Sequence, residues 1–251
     1  MQEKVKRQMD LVLEYIAARD FVPVQKLMSD LEMSKSTVNR YLKYLEAEHK
    51  VRRMYGGVTA SVGKPETCNP PASSGSDSPR IRIGKQAATM AEDHDIIFVG
   101  TGKTCFELYK SLEAHDLIVF TNNIYCAAYR NPNVSHIYIL GGEVFDANVV
   151  LGSLGIENLS KINPNKIFFS ASAINDRFEI QYNYDVERQY IETLMDMEGK
   201  KIFLINSAKQ NRQSPFKIDC LGGIDAFVTD IPISSEDQER FRSLNTVIIP
   251  V

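Results

Sequence analysis

Apolar residues recur at helical spacing through the first sixty positions. Val5, Met9, Val12, Leu13 and Ile16 share one face of a helix, and Val24, Leu27, Met28 and Leu31 mark a second. Pro23 suits the first turn of that second helix, where its missing N–H costs nothing. A third stripe, Val38, Tyr41, Leu42 and Leu45, runs to about Ala47 behind Ser34, a good N-cap residue. The connection Glu32-Met33-Ser34 is short, as a helix-turn-helix requires. Val51 to Thr59 reads as a strand, a turn at Gly56-Gly57 and a second strand. The pattern predicts a winged helix-turn-helix over residues 1–60.

Residues 61–80 are rich in Pro, Ser and Gly with little apolar content, which predicts a linker that buries too little surface to fold alone. From Ile81 to the end, short apolar runs alternate with helical patterns. Strands are expected at Ile96–Val99, Leu117–Thr121, His136–Leu140, Lys166–Ala171, Lys201–Asn206, Ala226–Thr229 and Thr246–Ile249. Helices are expected near 83–92, 104–113, 123–130, 153–161, 185–198 and 235–243. The alternation predicts an α/β domain over residues 81–251 with a mainly parallel sheet covered on both faces.

Two constellations carry chemistry. On the third helix, the polar stripe opposite the core holds Ser34, Lys35, Ser36, Thr37, Asn39, Arg40 and Lys43, with no acid until Glu46; Arg52 and Arg53 follow on the first wing strand. Uncharged and basic donors of this kind suit phosphates and base edges. Arg40 and Asn39 are the expected base readers; Lys35, Lys43, Arg52 and Arg53 are expected on the phosphate backbone. The competing reading is an ordinary solvated helix face.

At the carboxyl ends of the expected strands stand Gly100-Thr101-Gly102-Lys103-Thr104, Thr121-Asn122-Asn123, Gly141-Gly142-Glu143 and Asn206-Ser207-Ala208-Lys209. Free N–H groups at helix starts, glycines and nearby lysines favour an anion, and this is the edge where parallel sheets bind ligands. Ordinary tight turns are the alternative. The expected effector site comprises Thr101, Gly102, Lys103, Thr104, Asn122, Asn123, Gly142 and Lys209. Gly102-Lys103-Thr104 also matches the end of a nucleotide-binding P-loop, but that pattern needs glycine at position 97, which is Ile97. Asp185 and Glu187 stand at an expected helix start, where acids favour the dipole; binding sugar hydroxyls is their lesser alternative.

Composition narrows the classes. Residues 1–60 hold 11 Lys/Arg against 8 Asp/Glu and the remainder 18 against 24, a basic small domain beside an acidic large one. No apolar run approaches the ~20 residues that span a membrane. The opening MQEKVKRQMD has no apolar signal core, so a cytoplasmic protein is expected. Cys68, Cys105, Cys126 and Cys220 form no CxxC pair and are expected as reduced thiols. His49, His94, His115 and His136 lack metal-ligand spacing, and neither a metal nor a cofactor is expected.

These residues resemble the DeoR-type transcriptional repressors over nearly the whole chain. The likeness rests on Val24-Gln25-Lys26-Leu27, on Ser34 to Leu42, on Arg53-Met54-Tyr55-Gly56-Gly57-Val58, and on the landmarks Gly102, Thr104, Thr121-Asn122, Gly141-Gly142, Gly152 and Lys209. The resemblance implies a C-terminal domain like ribose-5-phosphate isomerase and the CoA transferases. It also implies a sensor for a phosphorylated sugar or related metabolite, and a homo-oligomer, commonly a dimer or tetramer. Against the family pattern, Asn39 and Tyr41 replace Arg and Asp, Gly100 and Asn206 replace Asp, Lys103 replaces Thr, and Phe145 stands near a frequent Arg. A different operator is expected from the first pair, and an altered hydroxyl recognition from the rest.

The expectation is a metabolite-responsive repressor of double-stranded operator DNA, without catalytic residues. The alternative, a sugar-phosphate isomerase-like enzyme with an accessory DNA-binding domain, needs a carboxylate base beside the sugar. Gly100 and Asn206 stand where the family's acids would supply one.

Overall fold

A computed structural model of the protein describes residues 3–17, 22–48, 50–54, 57–60, 78–145, 148–218 and 221–251. The chain divides into two compact units, Met1–Thr67 and Cys68–Val251. Tyr55 and Gly56 of the expected hairpin, residues 61–77 of the expected linker, His49, Cys68 and Cys220 lie outside the described residues.

The first unit holds α1 (Glu3–Ala17), β1 (Val22–Pro23), α2 (Val24–Asp30), α3 (Lys35–Ala47), β2 (Val51–Met54) and β3 (Gly57–Ala60), with an antiparallel sheet in the order β1-β3-β2. Its core joins Met9, Val12 and Ile16 of α1, Leu27 of α2, the α3 stripe Val38, Tyr41, Leu42 and Leu45, and Val22, Val51 and Val58 of the sheet. Tyr41 is buried to its hydroxyl, which donates to Gln8 Oε1 at 2.6 Å and ties α3 to α1. Pro23 does not open α2 from within. It precedes the helix in extended conformation (φ −57°, ψ 138°) and pairs across from Gly57, so its ring stiffens a strand end instead.

The second unit is built on a seven-stranded parallel sheet. Its strands are β4 (Ile96–Val99), β5 (Leu117–Thr121), β6 (Val134–Ile139), β9 (Lys166–Phe169), β12 (Lys200–Ile205), β14 (Ala226–Thr229) and β15 (Val247–Pro250), in the order β15-β14-β12-β9-β4-β5-β6. One face carries α4 (Pro79–Ala88), α5 (Lys103–Lys110) and α6 (Ile124–Ala128); the other carries α7 (Ser153–Leu159), α8 (Asp185–Asp196) and α9 (Ser235–Ser243). Strand residues alternate between the two cores: Ile202 and Leu204 face one, Phe203 and Ile205 the other. Both faces are covered, which is why these strands read as unbroken apolar runs. Phe169, Phe203 and Phe227 stand in register across three strands with ring centroids 5.2 and 5.3 Å apart. Each such ring is worth about 1.5–3 kcal/mol of burial.

Short antiparallel pieces that the alternation did not predict interrupt this plan. The hairpin of β7 (Glu143–Phe145) and β8 (Val149–Leu151) follows β6. A three-stranded sheet orders β10 (Ala173–Ile174), β11 (Ile180–Tyr182) and β13 (Phe216–Ile218), with its strands inserted after β9 and after β12. All these insertions follow carboxyl ends of the main sheet. The helix expected near 83–92 starts earlier, at Pro79 behind Ser78. Residues 78–80 therefore belong to the larger unit and not to a linker, because proline is favoured at the first helical position.

Strands run outward from β4 through β5 to β6, and the chain then returns to place β9 on the other side of β4. The amino ends of these two strands are fastened by a buried network. Asp95 accepts from Lys166 Nζ at 2.7 Å and from the Glu92 N–H at 2.7 Å, and Asn165 Nδ2 also donates to it. Asn165 Oδ1 takes the Ile96 N–H at 2.7 Å. Burial opposes the Asp95 charge, but the bonds from Lys166, Glu92 and Asn165 together outweigh it and hold the carboxyl below its usual range.

Removing Asp95 takes away the buried carboxylate and leaves the Lys166 ammonium beside the exposed Glu92 at 3.4 Å. Asp95→Ala is expected to cost about 3–5 kcal/mol in urea denaturation, and the double variant Asp95→Ala/Lys166→Met to recover most of that. Equal losses in the two variants would show that the packing, not the stranded ammonium, sets the cost.

Candidate functional site

On the first unit, Lys35, Ser36, Arg40 and Lys43 are exposed along α3, as the polar stripe predicts. Ser34 is spent on capping: its Oγ accepts the Thr37 N–H at 3.2 Å and lies 2.9 Å from the hydroxyls of Ser36 and Thr37. Arg40 extends its guanidinium 5.4 Å from the Tyr41 ring centre. Asn39 is engaged on both sides of its amide. Nδ2 donates to the Lys35 carbonyl at 3.0 Å, and Oδ1 accepts from Arg53 Nη2 at 2.7 Å. The Arg53 backbone N–H is held by Glu46 Oε1 at 3.2 Å. Arg52 lies in β2, with its side chain outside the described residues. Tyr44, one turn beyond Arg40, is 53% exposed, an aromatic on this surface outside the polar stripe.

On the second unit, β4 and β9 diverge from a switch point, and the expected effector residues gather beyond the carboxyl ends of the strands around it. Gly102 caps α5 with φ +96°, a conformation that favours glycine, and a side chain there would meet nothing within 4 Å. Thr101 is half-buried beside it, Lys103 is exposed, and Thr104 is buried. Asn123 braces the loop from the next strand: its Nδ2 donates to the Gly100 and Gly102 carbonyls at 3.4 and 3.2 Å, while Oδ1 caps α6. Asn122 is buried, and its Oδ1 has no hydrogen-bond partner. Asn206 stands at the end of β12 in the same condition, with Nδ2 3.5 Å from Thr104 Oγ1. Gly142 is exposed at the turn into β7 and packs against the Leu151 carbonyl, which identifies a hairpin requirement. The P-loop reading fails on its first glycine, because Ile97 is fully buried in mid-strand.

Lys209 crosses to the end of β9, where Nζ donates to Ser170 Oγ at 3.1 Å and to the Ala171 carbonyl. Burial pushes its ammonium down to about 8. The charges of Arg80 and Arg212 push the same way, while Cys105 and Glu187 oppose. Burial likewise pushes the Glu187 carboxyl up to about 7, against Lys209 and hydrogen bonding to Asn183, Ser172 and Tyr184. The Cys105 thiol, raised to about 12 by burial, is inert at neutral pH. Lys209 and Glu187 therefore share a buried setting in which each feels the other's charge, and the positive charges of Arg80 and Arg212 act on Lys209 as well. Lys209 is among the residues expected at this edge, and Glu187 is the acid expected at a helix start. Arg80 was hidden in the expected linker and Arg212 in a polar run after β12; neither has a periodic signal.

Glu187 allows a pH test. Its folded pKa is raised, so its contribution to stability is complete below the unfolded value of about 4.3 and is lost as pH rises through about 7. Glu187→Gln removes that dependence. Its melting temperature relative to wild type should rise between about pH 5 and about pH 8. A difference that stays flat would show that the fold does not favour the protonated acid.

The DeoR C terminal sensor domain matches residues 77–231, and the DeoR-like helix-turn-helix domain matches residues 7–62. The chain is 26% identical over 250 residues to a lactose phosphotransferase system repressor of Lactococcus lactis subsp. lactis, covering 97% of this chain and 98% of that protein. It is 21% identical over 242 residues to the HTH-type transcriptional regulator GlpR of Haloferax volcanii, covering 95% and 94%. A probable sor operon regulator from Shigella flexneri superposes with TM-score 0.38 at 12% identity over 67% of this chain and 89% of that one. Ribose 5-phosphate isomerase A from Methanocaldococcus jannaschii superposes with TM-score 0.37 at 11% identity over 52% and 53%. The two family matches, one covering more than half of the residues, place the chain in the DeoR family of transcriptional regulators, with a helix-turn-helix domain followed by a sensor domain.

Proposed function

We propose that the protein is a cytoplasmic repressor that grips operator DNA through α3 and the wing, as a homo-oligomer, and releases or tightens its hold when a phosphorylated sugar or related metabolite binds the second unit. Residues 1–60 form the DNA-binding domain. The linker ends before Ser78, three residues short of the boundary at 80 expected from composition, and the rest of the chain senses the effector. Among the described residues no helix is long and apolar enough to cross a membrane.

The observation that carries this reading is the gathering of Gly102, Asn123, Thr104, Asn206 and Lys209 by hydrogen bonds at the carboxyl ends of β4, β5, β9 and β12, on a chain that also has a helix-turn-helix. A phosphate would meet cations and the N-terminus of α5, which favour negative charge. Thr101, Lys103, Thr104, Asn122 and Asn123 would line the sugar. Asn122 and Asn206 offer buried carbonyl oxygens without partners, which suit hydroxyl donors. Glu187 supplies the carboxyl that Gly100 and Asn206 lack. It is therefore a sugar contact in this reading, and the full-length relatives named as repressors and regulators weigh against turnover.

Binding to the folded state alone stabilises by about 2.7 kcal/mol at a hundredfold excess over Kd. A thermal-shift screen of phosphorylated sugars is expected to find such a ligand, with the shift abolished in Lys209→Met and the compound left unconverted. Turnover of the compound would instead establish the isomerase alternative. Arg40→Ala should cost roughly 1–3 kcal/mol of specific DNA binding and relax base preference. Unchanged affinity at fixed salt would remove α3 from the groove.

A further inference from the structure

We infer that Arg53, on the wing strand, reads a base pair from the same groove as α3, and that Asn39 is its positioning residue. This rests on the proposal that α3 enters duplex DNA. The family's usual arginine is absent at position 39, and the structure shows what the replacement does. Asn39 lies back against its own helix, with Nδ2 3.0 Å from the Lys35 carbonyl four residues earlier. A short side chain folded onto the helix backbone has little reach left for the groove floor. Its Oδ1 takes Arg53 Nη2 at 2.7 Å. The backbone N–H of Arg53 is held as well, by Glu46 Oε1 at 3.2 Å, so both ends of the residue are tied to α3.

A guanidinium has five N–H donors in a rigid fork, and Asn39 takes one of them. What remains matches the paired acceptors O6 and N7 of guanine. Placement favours a base over a phosphate. Asn39 sits mid-stripe between Ser36 and Lys43 and beside Arg40, so the guanidinium it holds lies over the centre of the reading surface. The side chain is also long, and a fixed partner lowers the entropy lost when it docks. Glu46, the first acid on α3, thus serves to hold the wing.

The test starts from a random duplex pool enriched by the full-length wild-type protein, followed by affinities for the winning duplex and its single-base-pair variants at fixed salt. Arg53→Lys keeps the charge but cannot form the fork. It is expected to weaken the winning duplex roughly 5- to 150-fold and to abolish a G·C preference at one base pair. Asn39→Ala is expected to lose preference at that same base pair, and the double variant to be no worse than Arg53→Lys. Unchanged melting curves confirm that the variants are folded; should Asn39→Ala melt early, Asn39→Ser serves in its place. Three results overturn the assignment: uniform weakening on all duplexes without lost preference, loss of an A·T preference in both variants, or additive losses at two different base pairs. If the wild-type protein enriches no duplex at all, the DNA-binding reading fails, and this assignment falls with it.

Discussion

The buried pairing of Asp95 with Lys166 joins residues 71 apart in sequence and sets β9 beside β4. With Asn165 bonded to both Asp95 and the Ile96 N–H, the amino ends of the two strands are locked in register. An ion pair in the interior adds little net stability over apolar packing, but it tolerates only one arrangement. Here that arrangement makes β4 the strand from which the sheet is built in both directions. The connections leaving its carboxyl end and that of β9 go opposite ways, which makes this edge a topological switch point.

The divergence places the loops at that edge. The loop after β4 turns into α5 at Gly102, while the chain after β9 passes through Ser170 and Ala171 into the small antiparallel sheet. Lys209 arrives from the end of β12 and bonds to Ser170 and Ala171 beyond the end of β9. Its lowered pKa and the raised pKa of Glu187 have one cause, a shared desolvated setting in which neither charge is well hydrated.

The first unit solves a different problem. Its core is a handful of aliphatic side chains and Tyr41, so orientation on the surface is supplied by hydrogen bonds. Ser34 satisfies the start of α3, Glu46 holds the wing strand, and Asn39 links the middle of the helix to Arg53. Polar residues that look interchangeable along the stripe thereby divide into those that order the surface and those, Arg40 and Lys43 among them, that extend from it.

Local pattern carried most of the architecture. The α3 stripe, its Ser34 cap and the alternation of strands and helices are repeated over many residues, and periodicity survives any change in distant contacts. The short strands β7, β8, β10, β11 and β13 were illegible because runs of two or three residues have no period; pairing with a partner elsewhere defines them. Loop chemistry at the carboxyl edge was likewise visible in Gly102, Asn122 and Lys209. Its division of labour was not: Asn123 became a brace, Gly142 a hairpin hinge, and Arg80 and Arg212 joined Lys209 from segments without pattern. The amino-acid order determined which elements form and which edge of the sheet is rich in donors. Only the tertiary structure decided which donors keep their hydrogen bonds for the protein itself, because that depends on neighbours brought together across tens of residues by the packing of the sheet.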